Sequence, residues 1–140
     1  MAGLSVVIPT LEEAKRLPLL LADLQRWEGE LEVVICDGGS RDQTRQVAHL
    51  GGATVLESPT TGRGPQLSWG VDHSCHSWVL VLHADSRLPG SWHRRVEQIL
   101  KTPQARFSAW SFEFKVDTEM RPMLWLLERP HDASSATSSS

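Results

Sequence analysis

The sequence has few cysteines and no excess of basic residues, and each shortage excludes a class of protein. Its 140 residues contain two cysteines, Cys36 and Cys75, so a scaffold built on several disulfides is excluded. Cys36 closes a β-like apolar run, where a buried free thiol is the commoner state, and a reducing cytoplasm is the expected location. Fourteen basic against seventeen acidic residues give a net charge of −3, which does not indicate nucleic-acid binding. Any phosphate binding must therefore be local.

Long hydrophobic runs are also missing. The N-terminus has no basic segment, and the apolar run at residues 6–9 is too short for a secretory signal. The most apolar helix-like stretch, residues 17–24, is interrupted by Pro18 and Asp23 and falls well short of the ~20 residues that span a bilayer. We expect any membrane contact to be peripheral.

Length and composition indicate one globular domain. With 40% hydrophobic and 22% charged residues, the chain is typical of a soluble packed protein. We assign residues 1–129 to this domain. Residues 130–140 are rich in serine and cannot bury enough apolar surface to offset the ordering of the backbone, so a disordered tail is predicted.

Strand and helix patterns alternate along the chain. Continuous apolar runs predict buried strands at residues 4–9, 31–36, 53–56 and 78–82. Helical spacing predicts a first helix whose leucines recur from 17 to 24, with Thr10 as its candidate N-cap and Pro18 in its first turn. Further helices are predicted at 42–50, 65–73 and 91–100, then a strand at 107–116 with alternating character and a short amphipathic helix at 123–129.

This alternation predicts an α/β fold. Connections too long for hairpins imply parallel strands joined by right-handed crossovers, with helices on both faces of the sheet. The expected architecture is Rossmann-like and mostly parallel, with one antiparallel late strand. In such a sheet, ligands bind beyond the carboxyl ends of the strands.

Two carboxylates, Asp37 and Asp85, end predicted strands at that edge. Each can accept hydrogen bonds from a base or ribose, or can hold a divalent cation. The alternative is that Asp37 and Ser40 cap the second helix. His83 and Asp85 flank Ala84 and would point to one side of an extended chain, as two ligands of a metal ion would.

Other residue patterns are weaker indications of a site. Gly62, Arg63 and Gly64 could bring backbone and a planar cation to a phosphate, although a surface arginine in a glycine turn is usually solvated. A rival metal site at His73, Cys75 and His76 lacks the paired spacing of structural zinc sites. The six tryptophans are expected mostly in the core, and Trp110 or Trp125 could instead line an acceptor pocket.

Taken in order, the motifs resemble those of glycosyltransferase family 2, whose members are GT-A fold nucleotide-diphospho-sugar transferases. The similar segments are SVVIPTLEEA from Ser5, EVVICDGGSRDQT from Glu32, Gly62-Arg63-Gly64 with Gln66, and VLVLHADS from Val79. The resemblance covers roughly residues 4–129. It implies binding of a nucleotide-diphospho-sugar donor and transfer of the sugar, with inversion, to an unknown acceptor hydroxyl on a lipid or saccharide.

The resemblance also implies roles for individual residues. Those expected to bind the nucleotide-sugar are Pro9, Thr10, Glu12, Asp37, Gly38, Ser40, Arg63 and Ala84. Asp37 would contact the base, and Arg63 would approach the base or phosphate. Asp85 would hold Mg²⁺ or Mn²⁺, with His83 standing where the family usually has an aspartate.

The catalytic base is the residue that the sequence does not supply. Family members continue beyond residue 129 into an acceptor-binding half that provides this base, so its absence is expected to lower the rate by ~10²- to 10⁴-fold. The late carboxylates Glu113, Asp117 and Glu119 are interpreted as solvated charges. The end of the chain resembles a truncation more than an evolved acceptor site.

Two further hypotheses accompany the transferase. One is a truncated, non-catalytic nucleotide-sugar-binding domain, which could persist as a homo-oligomer that covers its exposed sheet edge. The other is a dinucleotide-dependent oxidoreductase or a nucleotidyltransferase. This last class is disfavoured because the turn after the first strand has no glycine-rich phosphate loop.

Overall fold

The computed structural model describes residues 3–59, 62–101, 110–113 and 123–128. The strands are β1 (Leu4–Thr10), β2 (Leu31–Asp37), β3 (Thr54–Glu57), β4 (Trp78–Val81), β5 (Trp110–Glu113) and β6 (Met123–Glu128). The helices are α1 (Leu17–Leu24), α2 (Thr44–Leu50), α3 (Arg63–Asp72) and α4 (Trp92–Leu100).

All of these strands belong to one sheet, in the order β3-β2-β1-β4-β6-β5. Strands β1 to β4 are mutually parallel, with Val6 of β1 opposite Val33 on one side and Leu80 on the other. Because β1 is central, its carboxyl end lies between those of β2 and β4. The predicted α/β fold with a mostly parallel sheet is confirmed.

The segment predicted as a helix at residues 123–129 is instead the strand β6. It pairs antiparallel with β4, from Trp78 opposite Glu128 to Val81 opposite Trp125. A short apolar run does not distinguish helix from strand by its periodicity, and the open edge of β4 supplies hydrogen-bond partners that favour a strand. The strand that runs against β1 to β4 is therefore β6, whereas β5 pairs antiparallel with β6 and has the direction of β4.

Side-chain alternation along the strands builds two apolar layers. Val6 and Ile8 of β1 join the larger core, together with buried residues of α1, α2 and α4. Val7 joins the smaller core on the opposite face, where Leu67 and Val71 of α3 pack. Helices thus cover both faces, as predicted.

The starts of the first two helices differ from the predictions. Thr10 is the last residue of β1 and does not cap α1, which begins at Leu17 with Pro18 in its first turn. The hydroxyl of Thr10 donates instead to Oδ1 of Asp37 at 2.9 Å. Helix α2 begins at Thr44 and follows Gln43, so the alternative that Asp37 and Ser40 cap this helix is wrong. In both cases, hydrogen bonds at the carboxyl ends of β1 and β2 use groups that the sequence assigned to helix capping.

Both cysteines are free thiols, Cys36 buried and Cys75 exposed. Burial raises the pKa of the Cys36 thiol to about 12, so this group is inert at neutral pH. Among the described residues, no helix is long and apolar enough to cross a membrane. The predicted tail at 130–140 lies outside the described residues.

Candidate functional site

A cavity of about 320 Å³ opens at the carboxyl ends of β1 and β4, where a ligand site is expected in a parallel sheet. The described residues that line it come from the ends of these strands, the following loops and the start of α3. They are Pro9, Thr10, Leu11, Glu13, Gly62, Gln66, His83, Ala84 and Asp85.

Hydrogen bonds join the loops after β1 and β2. The carboxylate of Glu12 accepts from the backbone N–H groups of Arg41 and Asp42 at 2.8 and 3.0 Å. In return, the backbone N–H of Glu12 donates to Oγ of Ser40 at 3.0 Å. Glu12 has φ 56°, a left-handed conformation that non-glycine residues rarely adopt and that the surrounding structure must stabilise. Glu12 therefore joins the two loops.

Asp37 organises the loop that follows β2. The residue is 1% exposed, and its carboxylate accepts from the hydroxyls of Thr10 and Ser40 and from the N–H groups of Gly39 and Ser40. Burial raises the pKa of Asp37, but these hydrogen bonds outweigh that effect and hold the pKa below its usual value. Asp37 is thus a buried, charged carboxylate whose lone pairs are occupied by protein donors.

Gln66 ties α3 to the ends of two strands. Its amide Nε2 donates to the carbonyl oxygens of Thr10 at 3.2 Å and Cys36 at 2.8 Å, and its Oε1 accepts from the N–H of Gly62 at 3.2 Å. Gly38 leaves room for this amide, because a Cβ at position 38 would lie 2.8 Å from Oε1. The Gln66 side chain is therefore fixed in the cavity wall.

The segment after β4 brings His83, Ala84 and Asp85 into the cavity wall. Asp85 Oδ2 lies 3.7 Å from Nη1 of Arg16, and the two side chains are 33% and 62% exposed. Glu13 lines the same cavity, and burial raises its pKa, as do the charges of Asp85 and Asp42 to a smaller degree, against an opposing effect of Arg16. Among the described side chains, the carboxylates of Glu13 and Asp85 thus lie near the guanidinium of Arg16.

The carboxylate of Asp85 in the cavity wall suits a hard divalent cation better than zinc. Within the described part of the chain, no group of three or more His, Cys, Asp and Glu side chains could hold a metal ion. The rival site at His73, Cys75 and His76 is excluded by the same observation. The one-third exposed carboxylate of Asp85 lines the cavity and fits a cation such as Mg²⁺, which takes one or two carboxylate ligands and fills its remaining positions with water and phosphate oxygens.

The structure separates the predicted site residues into two groups. Pro9, Thr10, His83, Ala84 and Asp85 line the cavity. Glu12, Asp37, Gly38 and Ser40 are not among the described residues that line the cavity, and they hydrogen-bond to one another or to the end of β1. Arg63 is the first residue of α3, directly after the cavity-lining Gly62, and its side chain lies outside the described structure.

Sequence reasoning missed several cavity residues. Leu11 and Glu13 belong to the segment quoted for the first motif, and Gln66 to the third, so position in the motif was the available signal for them. Arg16, which contacts the cavity-lining Asp85 but is not itself among the described residues that line the cavity, had no such signal. Its approach to Asp85 joins residues far apart in sequence and depends on the pairing of β1 with β4.

Fold and cavity together define an α/β protein with a cleft at the carboxyl edge of a parallel sheet. The family model described as glycosyl transferase family 2 matches residues 5–132. The chain belongs to glycosyl transferase family 2.

Curated relatives share this region. The chain is 36% identical over 91 residues to the PGL/p-HBAD biosynthesis glycosyltransferase of Mycobacterium bovis, covering 60% of this chain and 36% of the relative. It is 30% identical over 89 residues to the 4,4'-diaponeurosporenoate glycosyltransferase of Staphylococcus aureus, covering 59% of this chain and 24% of the relative. The chain therefore spans about a quarter to a third of the length of these relatives.

Solved structures share the fold. S. aureus TarS residues 1–349 superpose with a TM-score of 0.65 at 19% identity, covering 89% of this chain and 47% of that one. The mannosyltransferase PcManGT of Pyrobaculum calidifontis, solved with GDP-Man and Mn²⁺, gives a TM-score of 0.66 at 22% identity and covers 76% of this chain and 34% of that one. The GT-A fold expected from the motifs is confirmed.

Proposed function

We propose that this chain binds a nucleotide-diphospho-sugar in the cavity beyond β1 and β4, and that the sugar is transferred with inversion to an acceptor hydroxyl. The observation that carries the proposal is the cavity itself, which gathers Thr10, His83 and Asp85 at the carboxyl edge of the sheet. Family membership and the GDP-Man complex of PcManGT support this class of donor. The acceptor is proposed to be a lipid or saccharide, and a cytoplasmic location stays a prediction.

Asp85 and His83 would hold a divalent cation, Mg²⁺ or Mn²⁺. When bound, the cation would stabilise the charge that develops on the diphosphate leaving group. The Mn²⁺ complexes of PcManGT and of the glucosyl-3-phosphoglycerate synthase of Mycobacterium tuberculosis support this choice. Arg63, at the start of α3, is proposed to supply a positive charge to the phosphates or base.

The loops after β1 and β2 are proposed to bind the nucleoside. Pro9 and Thr10 line the cavity and would border it directly. A base that contacted Asp37 would have to displace a hydroxyl of Thr10 or Ser40, since both already donate to that carboxylate. We therefore assign Asp37, with Gly38, Ser40 and Glu12, to holding the nucleoside-binding loop in shape. The proposal assigns no catalytic base.

A thermal-shift panel tests the donor site. The ligands are UDP, GDP, CDP, dTDP and NAD, each with and without Mn²⁺. A ligand that binds only the native state at about 100 times its Kd stabilises it by ~2.7 kcal/mol, which corresponds to roughly 5 °C or more. We expect a Mn²⁺-dependent shift with one nucleoside diphosphate. A shift with NAD alone, or with none of the ligands, would contradict the proposal.

Variants at Asp85 separate the cation from the nucleotide. Asp85→Asn should abolish the Mn²⁺ dependence of the shift, because the neutral amide is a much poorer ligand for a hard cation. The matched control is Asp72→Asn on the exposed end of α3, which should behave as the native chain. Mn²⁺-dependent nucleotide binding without sugar transfer or donor hydrolysis would select the non-catalytic binding domain.

A further inference from the structure

We infer that Arg16 exchanges partners during ligand binding. It pairs with Asp85 in the free protein, and it turns to the diphosphate when a nucleotide enters together with its cation. This inference rests on the proposed function and adds to it a residue outside the matched motifs. Arg16 thus competes with the cation for Asp85 in the free protein and binds the phosphates in the complex.

The geometry of the pair is that of a contact that can be exchanged. Nη1 of Arg16 lies 3.7 Å from Oδ2 of Asp85, beyond the 2.7–3.2 Å of a good N–H···O hydrogen bond. The Arg16 side chain is 62% exposed, so solvent screens the attraction and competes for the guanidinium. Little free energy is therefore lost when Asp85 takes another cation.

The backbone of Arg16, by contrast, is held at the cavity rim. Its N–H donates to the carbonyl oxygen of Glu13 at 3.2 Å, and the N–H of Leu17 donates to the same oxygen at 3.0 Å. Leu17 is fully buried and begins α1. The guanidinium can therefore change partner by rotation of its side chain, without movement of the helix.

Charge determines the direction of the exchange. In the free protein Arg16 balances Asp85 and the neighbouring Glu13, both of which line the cavity. A divalent cation bound to Asp85 repels the guanidinium, while the diphosphate that arrives with the cation attracts it. The planar fork of arginine donors matches phosphate oxygens in two-point contacts, which lysine does not reproduce.

Opposite changes in two affinities test the exchange. Titration of the full chain with Mn²⁺ alone, followed by the electron paramagnetic resonance of free Mn²⁺, should show that Arg16→Ala binds the ion about two- to fivefold more tightly than the native protein. Calorimetric titration with the nucleoside diphosphate selected in the panel, at saturating Mn²⁺, should show binding weaker by about tenfold or more. Arg16→Lys should keep the native Mn²⁺ affinity and lose part of the nucleotide affinity.

Lys15→Ala is the matched control, since it removes the same charge from an exposed neighbour in the same loop. If Lys15→Ala and Arg16→Ala changed the two affinities equally, the net charge of the protein would explain the changes, and the inference would be overturned. Unchanged Mn²⁺ affinity in Arg16→Ala would overturn it as well. A native protein that binds no nucleotide with Mn²⁺ would overturn the proposed function instead, so the two failures are distinguishable.

Discussion

At the scale of single residues, the site depends on polar side chains that bind other protein groups. Asp37 is the clearest case, because its buried carboxylate joins Thr10 at the end of β1 to the loop at Gly39 and Ser40. Hydrogen bonds to a charged group contribute about 1.5–3 kcal/mol each. The cavity wall is therefore shaped before any ligand binds.

Replacement of Asp37 should reveal this contribution and its pH dependence. Asp37→Asn turns an amide toward N–H donors and should lower the free energy of unfolding at pH 7 by about 2–3 kcal/mol. The pKa of Asp37 is lowered in the folded state, so its contribution is complete above the unfolded-state value of ~3.9 and is lost as the pH falls through the folded-state value. The difference between native and variant stability should thus narrow below about pH 4, as measured by urea unfolding from pH 7 to 2.

The exposed Asp72→Asn serves as the control for this experiment and should change stability by less than about 0.5 kcal/mol. A difference between Asp37→Asn and the native chain that stays constant down to pH 2 would argue against a buried charged carboxylate. Such a constant difference would indicate that Asp37 stabilises the fold through the shape of its side chain and not through its charge.

At the scale of elements, α3 is fixed to the sheet at both ends. Gln66 bonds its first turn to the carbonyls of Thr10 and Cys36. Further along, Gly70 lies against the sheet so closely that an added Cβ would approach Val7 Cγ1 to 2.5 Å and would also collide with Cys36 Sγ. This close packing sets the height of α3 above the strands, and with it the position of Gly62 in the cavity wall.

Alanine substitutions at two glycines of α3 should therefore differ in their effect on stability, with a loss at Gly70 and none at Gly64. Gly70→Ala forces a methyl group into buried atoms, and overpacking of this kind costs about 1–3 kcal/mol, only partly offset by the helix propensity of alanine. Gly64→Ala is the matched control, because a Cβ there meets no atom within 4 Å, and it should be neutral or stabilising by up to about 1 kcal/mol. Thermal unfolding measures both, and equal melting temperatures would contradict the packing described.

At the scale of the whole molecule, β6 covers an edge of the parallel sheet. Its pairing with β4 runs from Trp78 to Val81, a segment that is buried throughout. Without β6 this edge would present unpaired backbone groups beside apolar side chains, which favours pairing between molecules. The edge of β4 is thus closed within the chain, while β3 and β5 form the outer edges of the described sheet, and the homo-oligomer stays a prediction.

Deletion of β6 tests this role. A chain that ends at residue 122 should associate or aggregate, whereas a chain that ends at residue 130 keeps β6 and should behave as the full protein. Light scattering coupled to size-exclusion chromatography measures the outcome. A monomeric chain ending at 122, with an unchanged melting temperature, would show that β4 does not require this partner.

The sequence by itself determined the parallel half of the fold. Continuous β-branched runs such as that from Leu4 are typical of strands buried on both faces, and alternation with helices implies crossovers, so local pattern was sufficient. The polar residues that follow β1 and β4 were predicted for the same reason, since a parallel sheet brings its carboxyl ends to one edge.

Tertiary structure alone decided the features that depend on distant partners. Residues 123–128 form a strand because they pair with the edge of β4. The hydroxyl of Thr10 donates to Asp37 and does not cap a helix, because the pairing of β1 with β2 places these two residues opposite each other. The placement of Gln66 across two strand ends and of Arg16 beside Asp85 likewise required the assembled sheet. Hydrophobic periodicity in the sequence indicates which face of a helix or strand a residue occupies. Hydrogen bonds and ion pairs need a specific partner, and the fold determines which residue that partner is.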